Sequence, residues 1–257
     1  MDLIQIIVLA LVQGLTEFLP VSSSAHLVLV APVMGWPDQG LAFDIAVHVG
    51  TLGAVVVYFR QRLFQLAMGT LRRGEEQREV MYLGVATLPA VTAGLLLSDW
   101  LQSWARAPEV IMVTTLLFGL LLGYADRKGG REVQITLGIA LIIGLFQVLA
   151  LVPGTSRSGI TITAALLLGV SRSEAARFSF LMSIPIIAGA SLLLIKDAIE
   201  SGLPWIWLDW SIGAGVALLS ALACIKLFMA WVERIGMMPF VWYRIALSAV
   251  LGLWLFY

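Results

Sequence analysis

A series of apolar runs, each long enough to cross a lipid bilayer, extends through this sequence. A helix rises by about 1.5 Å per residue, so crossing the hydrocarbon core takes about 17 to 25 apolar residues. The composition, with 60% hydrophobic and 12% charged residues, lies far from that of soluble domains. It predicts an all-α, polytopic membrane protein with six transmembrane helices, in which residues 1–257 form a single integral membrane domain. The predicted crossings are residues 41–59, 81–99, 108–125, 174–195, 210–232 and 239–257.

Two further regions, residues 3–35 and 134–170, are apolar but broken midway by polar turns. Residues 20–24 (PVSSS) interrupt the first region, and Pro153 opens the turn in the second. The pieces on either side are too short to cross a bilayer. Because irregular backbone at membrane depth is tolerated only where protein or water surrounds it, each region is interpreted as a re-entrant helical hairpin.

The two hairpin regions repeat one another at an offset of 134 residues, which aligns Gln13 with Gln147. Each half, roughly residues 1–125 and 134–257, contains one hairpin followed by three crossings. An odd number of crossings inverts the second copy, and inverted repeats bring their broken helices together near the middle of the membrane. We therefore expect the two turns to meet there. The same offset aligns Ser22 with Ser156, Ser24 with Ser158, and Gly35 with Gly169.

Basic residues predict the orientation of the crossings. Arg60, Arg62 and Arg78 follow the first crossing, and Arg127 and Lys128 follow the third. Basic loops remain in the cytoplasm, and two crossings separate these two loops, as the rule requires. This orientation places both chain termini on the outer side. The formal net charge is zero, which gives no basis for a nucleic-acid partner.

The second polar turn, PGTSRSGIT at residues 153–161, has the features of an anion site. Proline and glycine end the incoming helix, and Thr155 or Ser156 can cap the next one. A helix N-terminus carries partial positive charge, and the guanidinium of Arg157 can hold two phosphate oxygens at once. The alternative is a short extramembrane loop, but an ionisable group at membrane depth favours a site. The candidate phosphate-binding residues are Gly154, Thr155, Ser156, Arg157, Ser158 and Thr161.

The first turn brings an acid, hydroxyl groups and an imidazole together. Gln13 and Glu17 are four residues apart and therefore lie on one helical face. Ser22 or Ser23 can cap the second helix, and His26 projects from its first turn. Ser22, Ser23 and Ser24 are also candidate phosphate-binding residues. Each of these groups alone has a structural explanation, as a cap or a satisfied polar group. Together, opposite a turn that carries Arg157, they favour a binding site.

Two polar positions lie outside the turns. His48 follows Asp44 by four residues on a predicted crossing, which is the spacing of a metal or proton site, or of a pair that only satisfies itself. Arg244, near the cytoplasmic end of the last crossing, is interpreted as a snorkelling anchor or a structural partner.

Two long segments, QGLTEFLPVSSSAH at residues 13–26 and PGTSRSGIT at 153–161, are similar to the signatures of a known family. They resemble the bacterial undecaprenyl-pyrophosphate phosphatases of the bacitracin-resistance type, and residues 169–185 and 238–244 are also similar. The resemblance implies that the functional positions are Glu17, Ser23, His26 and Arg157, supported by Gln13, Ser22, Ser156 and Thr161. Gln13 stands where many members of that family have glutamate.

The resemblance implies hydrolysis of undecaprenyl pyrophosphate to undecaprenyl phosphate and inorganic phosphate. This reaction recycles the lipid carrier for cell-wall polysaccharide synthesis and confers bacitracin resistance. It further implies a divalent cation, Mg²⁺ or Ca²⁺, for which Glu17 and Gln13 would supply oxygen ligands. The expected partners are a polyprenyl pyrophosphate substrate and membrane lipids, and a homodimer is among the assemblies that the sequence leaves open. The expected location is the bacterial inner membrane, with the active site open to the outer, periplasmic side.

Two questions stay open at this level. Ser23 could attack phosphorus with His26 as its base, or His26 could activate water while Ser23 only binds phosphate. Inverted repeats with broken helices are also typical of transporters, so a lipid-phosphate transporter or flippase using the same site is the alternative function.

Overall fold

The structure, a computed structural model, describes residues 1–36, 39–70, 74–104, 107–129, 132–200 and 207–256, without the side chains at 24, 28–29, 31–33, 41–42, 98–104 and 197–198. Eleven α-helices and no strand make up this part of the chain. The helices are α1 (Leu3–Thr16), α2 (Ser23–Met34), α3 (Leu41–Tyr58), α4 (Arg60–Gly69), α5 (Glu75–Trp104), α6 (Pro108–Lys128), α7 (Leu137–Val148), α8 (Arg157–Leu167), α9 (Arg172–Glu200), α10 (Trp207–Ile235) and α11 (Met238–Phe256).

Five of the described helices, α5, α6, α9, α10 and α11, are long and apolar enough to cross a membrane. A sixth span is present if α3 and α4, which meet at a bend of 73°, are counted together. These helices confirm the predicted all-α polytopic class. The sidedness of the loops and the inversion of the second half stay predictions.

The two broken regions form short helices. Helix α1 has 14 residues and α7 has 12, so neither reaches crossing length. Helix α1 packs against α2 across the first turn, and α7 packs against α8 across the second, where a 3₁₀ turn (Leu149–Leu151) ends the incoming helix. Both regions therefore have the helix-turn-helix form expected of re-entrant hairpins.

The two halves use matching contacts to hold these hairpins. Helix α1 packs against α10, and α7 packs against α5, which is the helix in the place of α10 in the other half. Glycine allows both close approaches, because an added Cβ at Gly14 would lie 2.7 Å from the carbonyl oxygen of Ala217. At Gly144 it would lie 2.5 Å from that of Ala86. The short helices are thus fixed by direct backbone contact with long ones.

A group of ion pairs ties the ends of several long helices together. Arg177 of α9 pairs with Glu174 of its own helix and with Glu79 of α5, and Arg172 pairs with Asp126 of α6 at 2.6 Å. Glu79 and Asp126 are buried. Because breaking a buried pair leaves an uncompensated charge, this group holds α5, α6 and α9 in a fixed relation at the end that carries the predicted cytoplasmic loops.

Candidate active site

The two polar turns meet directly. The hydroxyl of Ser158 in the second turn donates to the carbonyl oxygen of Leu19 in the first, at 2.9 Å, and Ser158 is fully buried. The contact joins residues 139 positions apart in the chain. The convergence expected from the repeat is therefore present, and the side chains of both turns can act on one ligand.

Both turns contain a serine with a strained backbone at the equivalent position. Ser22 has a φ of 72° and Ser156 a φ of 70°, and the repeat offset aligns them. The left-handed conformation costs a non-glycine residue about 1 to 2 kcal/mol, so it persists only where the surroundings impose it. The left-handed residue lies immediately before α2 in the first turn and before α8 in the second, so it sets the direction in which each helix begins.

The second turn is organised by hydroxyl groups. Ser156 caps α8, since its oxygen accepts from the amide of Gly159 at 3.1 Å. Thr161 donates to the carbonyl oxygen of Arg157 at 2.9 Å and hydrogen-bonds to the hydroxyl of Ser179 on α9 at 2.7 Å. Thr161 therefore fixes the helix that carries Arg157.

Glu17 lies at the centre of the hydrogen bonds between the turns. Its carboxylate accepts from the amide of Gln13 at 3.0 Å and from the hydroxyl of Ser23 at 2.9 Å. It also forms an ion pair with Arg157, whose Nη2 lies 3.3 Å from Oε1. Both side chains of this pair are largely buried. One carboxylate thus joins α1, the first turn of α2 and the start of α8.

Arg157 is held in place but keeps a free donor. Its Nη1 donates to the carbonyl oxygen of Ser179 at 3.1 Å, and its guanidinium carbon lies 6.0 Å from the ring centre of Phe18. The buried Nε has no hydrogen-bond partner among the described residues. The guanidinium is therefore oriented by protein on two sides, with one N–H left for another acceptor.

Unpaired buried polar atoms collect at these turns. Besides Nε of Arg157, they include the side-chain carbonyl oxygen of Gln13 and the hydroxyl of Thr155. Leaving such a group unpaired costs about 1 to 3 kcal/mol, which makes three of them around one junction unfavourable for an empty structural core. A polar ligand bound here would supply the missing partners. Arg157 Nε and the Thr155 hydroxyl can donate to an anion, and the side-chain oxygen of Gln13 can accept from a donor or bind a cation.

His26 is oriented by two contacts of its ring. Nδ1 lies 2.7 Å from the carbonyl oxygen of Ser22, and Nε2 contacts the hydroxyl of Tyr243 on α11. A carbonyl oxygen only accepts, so Nδ1 carries the proton and Nε2 of the neutral ring is left as the acceptor. The two rings are nearly parallel, with centroids 5.5 Å apart. In the described structure Ser23 hydrogen-bonds to Glu17 rather than to His26.

Arg244 holds the two turns from behind. Its five N–H groups reach five backbone carbonyl oxygens, and the side chain is fully buried. The acceptors belong to Pro20 of the first turn, Gly154 and Thr155 of the second, and Thr114 and Thr115 of α6. Of the two interpretations of Arg244, snorkelling is wrong and a structural partner is confirmed. Within the described residues no carboxylate pairs with it, so the junction keeps an uncompensated positive charge beside the Glu17–Arg157 pair.

The remaining sequence candidates are Ser24, the pair of His48 and Asp44, and a metal site. The side chain of Ser24 lies outside the described residues. His48 Nδ1 lies 2.7 Å from the backbone oxygen of Asp44, and the carboxylate of Asp44 accepts from Gln39 at 3.1 Å. The described residues contain no group of three or more His, Cys, Asp or Glu side chains placed to hold a metal ion. Any cation here would need oxygen ligands in addition to carboxylates.

Known proteins of one family are similar to this chain along nearly its whole length. A family model described as bacitracin resistance protein BacA matches residues 6–250. The chain is 51% identical over 263 residues to a protein named undecaprenyl-diphosphatase from Alteromonas mediterranea, covering 99% of this chain and 98% of the relative. A protein of the same name from Hahella chejuensis is 52% identical over 264 residues, covering 100% and 99%. A third, from Teredinibacter turnerae, is 51% identical over 266 residues, covering 98% of each.

Proposed function

The chain belongs to the family of the bacitracin resistance protein BacA, and on that premise we propose that it is an undecaprenyl-diphosphatase. It hydrolyses undecaprenyl diphosphate to undecaprenyl phosphate and inorganic phosphate, and so recycles the lipid carrier of cell-wall polysaccharide synthesis and confers resistance to bacitracin. The observation that carries the proposal is the meeting of the two turns at Glu17 and Arg157. The transporter alternative is not favoured, because the relatives are named for a hydrolytic reaction.

The diphosphate is bound by the second turn. Arg157 offers its unpaired Nε and Thr155 its unpaired hydroxyl, and the amides at the start of α8 add partial positive charge. The buried charge of Arg244 lies behind the turn and favours an anion there. Groups fixed in this way stabilise charge as it develops on the transferred phosphoryl group, without reorganising during the reaction.

A divalent cation, Mg²⁺ or Ca²⁺, fits the oxygen atoms of the first turn. The carboxylate of Glu17 and the unpaired carbonyl oxygen of Gln13 are ligands of the type these ions prefer, and substrate phosphates complete such sites in many enzymes. When bound, the cation would neutralise charge on the diphosphate. The single protein carboxylate of the site makes substrate oxygens an expected part of the ligand set.

The contacts of Ser23 support it as the nucleophile, with Glu17 rather than His26 as the group that takes its proton. Ser23 Oγ attacks the terminal phosphorus and its proton passes to Glu17. The bond from that phosphorus to the bridging oxygen breaks, so undecaprenyl phosphate leaves and a phosphoserine remains. Water then attacks the phosphoserine and gives a proton to Nε2 of His26, which exchanges its contact with Tyr243 for one with the water. The bond from phosphorus to Ser23 Oγ breaks, and the proton on Glu17 returns to that oxygen. Inorganic phosphate departs, and His26 releases its proton to solvent.

The assay is release of inorganic phosphate from undecaprenyl diphosphate by purified protein in detergent. We expect one phosphate per lipid from the native protein and a phosphoserine at position 23 after acid quenching. His48→Ala is the matched control, because the ring of that histidine hydrogen-bonds to the backbone of its own helix. Folded protein that binds the lipid but releases no phosphate would show that this chain is not a diphosphatase. Turnover without phosphoserine would assign the attack to water instead.

The location follows from the same proposal. We place the chain in the bacterial inner membrane. The basic loops predict that both termini lie on the outer side, so the first hairpin enters the membrane from that side, and the site at its turn is reached from there.

A further inference from the structure

Tyr243 of α11 holds the imidazole of His26 but forms no bond to the phosphoryl group in either chemical step. Its hydroxyl lies 2.5 Å from Nε2, and the planes of the two rings differ by 10°. The carbonyl oxygen of Ser22 accepts from Nδ1, so Nε2 is the acceptor nitrogen and the tyrosine O–H donates to it. A phenolic oxygen that donates its proton can still accept a hydrogen bond from a second molecule.

Arg244, the next residue of α11, fixes Tyr243 in place. The guanidinium donates to the carbonyl oxygens of Pro20 in the first turn, at 3.3 Å, and of Gly154 in the second, at 2.9 Å. Consecutive residues of a helix point about 100° apart. Arg244 therefore faces the two turns while Tyr243 faces α2, where its ring lies against that of His26. One stretch of α11 thus holds the junction of the turns and orients the imidazole.

The first chemical step leaves the contact between Tyr243 and His26 intact. Ser23 donates to Glu17 at 2.9 Å, so the carboxylate takes the serine proton and Nε2 of His26 is not required. The second step differs, because the water that attacks the phosphoserine gives its proton to Nε2. The hydroxyl of Tyr243 occupies that nitrogen before the water does. Any effect of this hydroxyl on the chemistry is therefore confined to the second step.

The spacing of Ser23 and His26 leaves room for a water molecule between the phosphoserine and the imidazole. The two residues are three apart in α2, and such pairs lie on one helical face with roughly 5 to 6 Å between their Cβ atoms. Tyr243 is 46% exposed, so its hydroxyl can move aside to admit a water while its ring stays near the imidazole. The water then replaces the hydroxyl at Nε2 and remains within reach of it.

Resting on the proposed function, we infer that Tyr243 is a positioning residue for the water of the second step. The water points one hydrogen at Nε2 of His26 and the other at the oxygen of Tyr243, which leaves a lone pair directed at phosphorus. As the new O–P bond forms, the first proton passes to Nε2 and the second stays on the departing phosphate. The P–Oγ bond of Ser23 breaks, and Oγ regains the proton held by Glu17. Fixing both hydrogens removes rotational freedom that the water would otherwise lose during the reaction.

The test removes only the hydroxyl. Tyr243→Phe keeps the ring that stacks on His26, and Tyr124→Phe is the matched control, because it removes the same group from an exposed ring of α6 beside Lys128. Rapid quenching in acid follows the release of undecaprenyl phosphate, the release of inorganic phosphate and the amount of phosphoserine at position 23. Steady-state kcat and KM and the melting temperature are measured on the same samples.

In Tyr243→Phe we expect a burst of one undecaprenyl phosphate per protein, followed by slow turnover with phosphoserine accumulating. The value of kcat should fall about tenfold or more, the factor that corresponds to one lost hydrogen bond. KM should fall in parallel, so that kcat/KM stays within about twofold of native, because this ratio reports only the steps up to the departure of undecaprenyl phosphate. A purely structural role would lower kcat/KM instead. Tyr124→Phe should match the native protein in every quantity.

Three results would overturn the inference. Native kcat in folded Tyr243→Phe would mean that the hydroxyl does not act on the water. A rise in kcat would mean that it only blocks Nε2. An equal fall in kcat and kcat/KM would mean that Tyr243 acts before undecaprenyl phosphate leaves.

NMR separates failure of this inference from failure of the proposed function. The chain has two histidines, so in a His48→Ala background the ring of His26 gives the only imidazole signals. Without substrate, Tyr243→Phe should shift the ¹⁵N signal of Nε2 towards that of an acceptor nitrogen that receives no hydrogen bond. If the native protein releases both products and Tyr243→Phe behaves like the control, the function stands and the inference is wrong. If the native protein releases neither product but the signal shifts, the proposed function is wrong and the orienting contact to His26 stands.

Discussion

Replacing Arg244 by methionine should loosen the junction of the two turns. The substitution keeps most of the side-chain volume but removes five N–H donors and a buried charge. Three of the lost hydrogen bonds, to Thr115, Thr155 and Gly154, are 3.0 Å or shorter. At about 1.5 kcal/mol each, the low end for a charged donor, they amount to about 4.5 kcal/mol. The acceptors are backbone carbonyl oxygens inside the bundle, where water does not replace the lost donors.

Arg244→Lys should cost about half as much, because an ammonium group has three N–H donors without the planar fork and cannot reach all five acceptors. The assay is thermal unfolding in detergent, with binding of a non-hydrolysable diphosphate analogue measured on the same samples. Arg234→Met is the control, since that arginine is exposed near the end of α10 and its loss should change stability by no more than about 0.5 kcal/mol. If Arg244→Met unfolds and binds like the control, Arg244 does not hold the turns.

Three further substitutions test single groups of the site. Arg157→Lys keeps the charge but loses the planar two-point grip, so turnover should fall by about 10²-fold or more at equal folded amounts; near-native turnover would exclude the clamp. His26→Ala should abolish phosphate release while His48→Ala retains it, and the reverse pattern would place the site elsewhere. Thr155→Val removes a hydroxyl that has no hydrogen-bond partner among the described residues, so KM should rise while the melting temperature stays the same or increases. A lower melting temperature with native KM would show that this hydroxyl serves the fold.

The hairpins and their junction could be predicted because each depends on a local pattern. Pro20 and Pro153 break apolar regions of known length, and the spacing of Gln13 and Glu17 places both on one face of α1. The offset of 134 residues also pairs Ser22 with Ser156, whose shared left-handed backbone no residue type would have indicated, since serine rarely adopts it.

Contacts made by distant helices could not be predicted in the same way. Tyr243 contacts His26 across 217 residues of sequence, and the carbonyl oxygen that holds Arg157 belongs to Ser179 of α9, whose sequence does not show which of its residues faces the second turn. The position of Arg244 near a membrane end suggests an anchor. Its five acceptors are backbone carbonyl oxygens, which every residue has, so the sequence does not indicate them. Tertiary packing, rather than local pattern, determines these partners.

The central claim is that the two turns form one phosphate site, and paired cysteine labelling tests it most directly. In a Cys224→Ser background, Ser23→Cys reports on the first turn and Val152→Cys, at a half-buried position directly before Pro153, reports on the second. A membrane-impermeant thiol reagent is applied from each side of oriented vesicles, with and without a non-hydrolysable prenyl diphosphate analogue. We expect both cysteines to react from the same side, the outer one, and the analogue to protect both over the same concentration range. Labelling from opposite sides, or protection of one cysteine without the other, would contradict a shared site and leave Arg157 without its partners in the first turn.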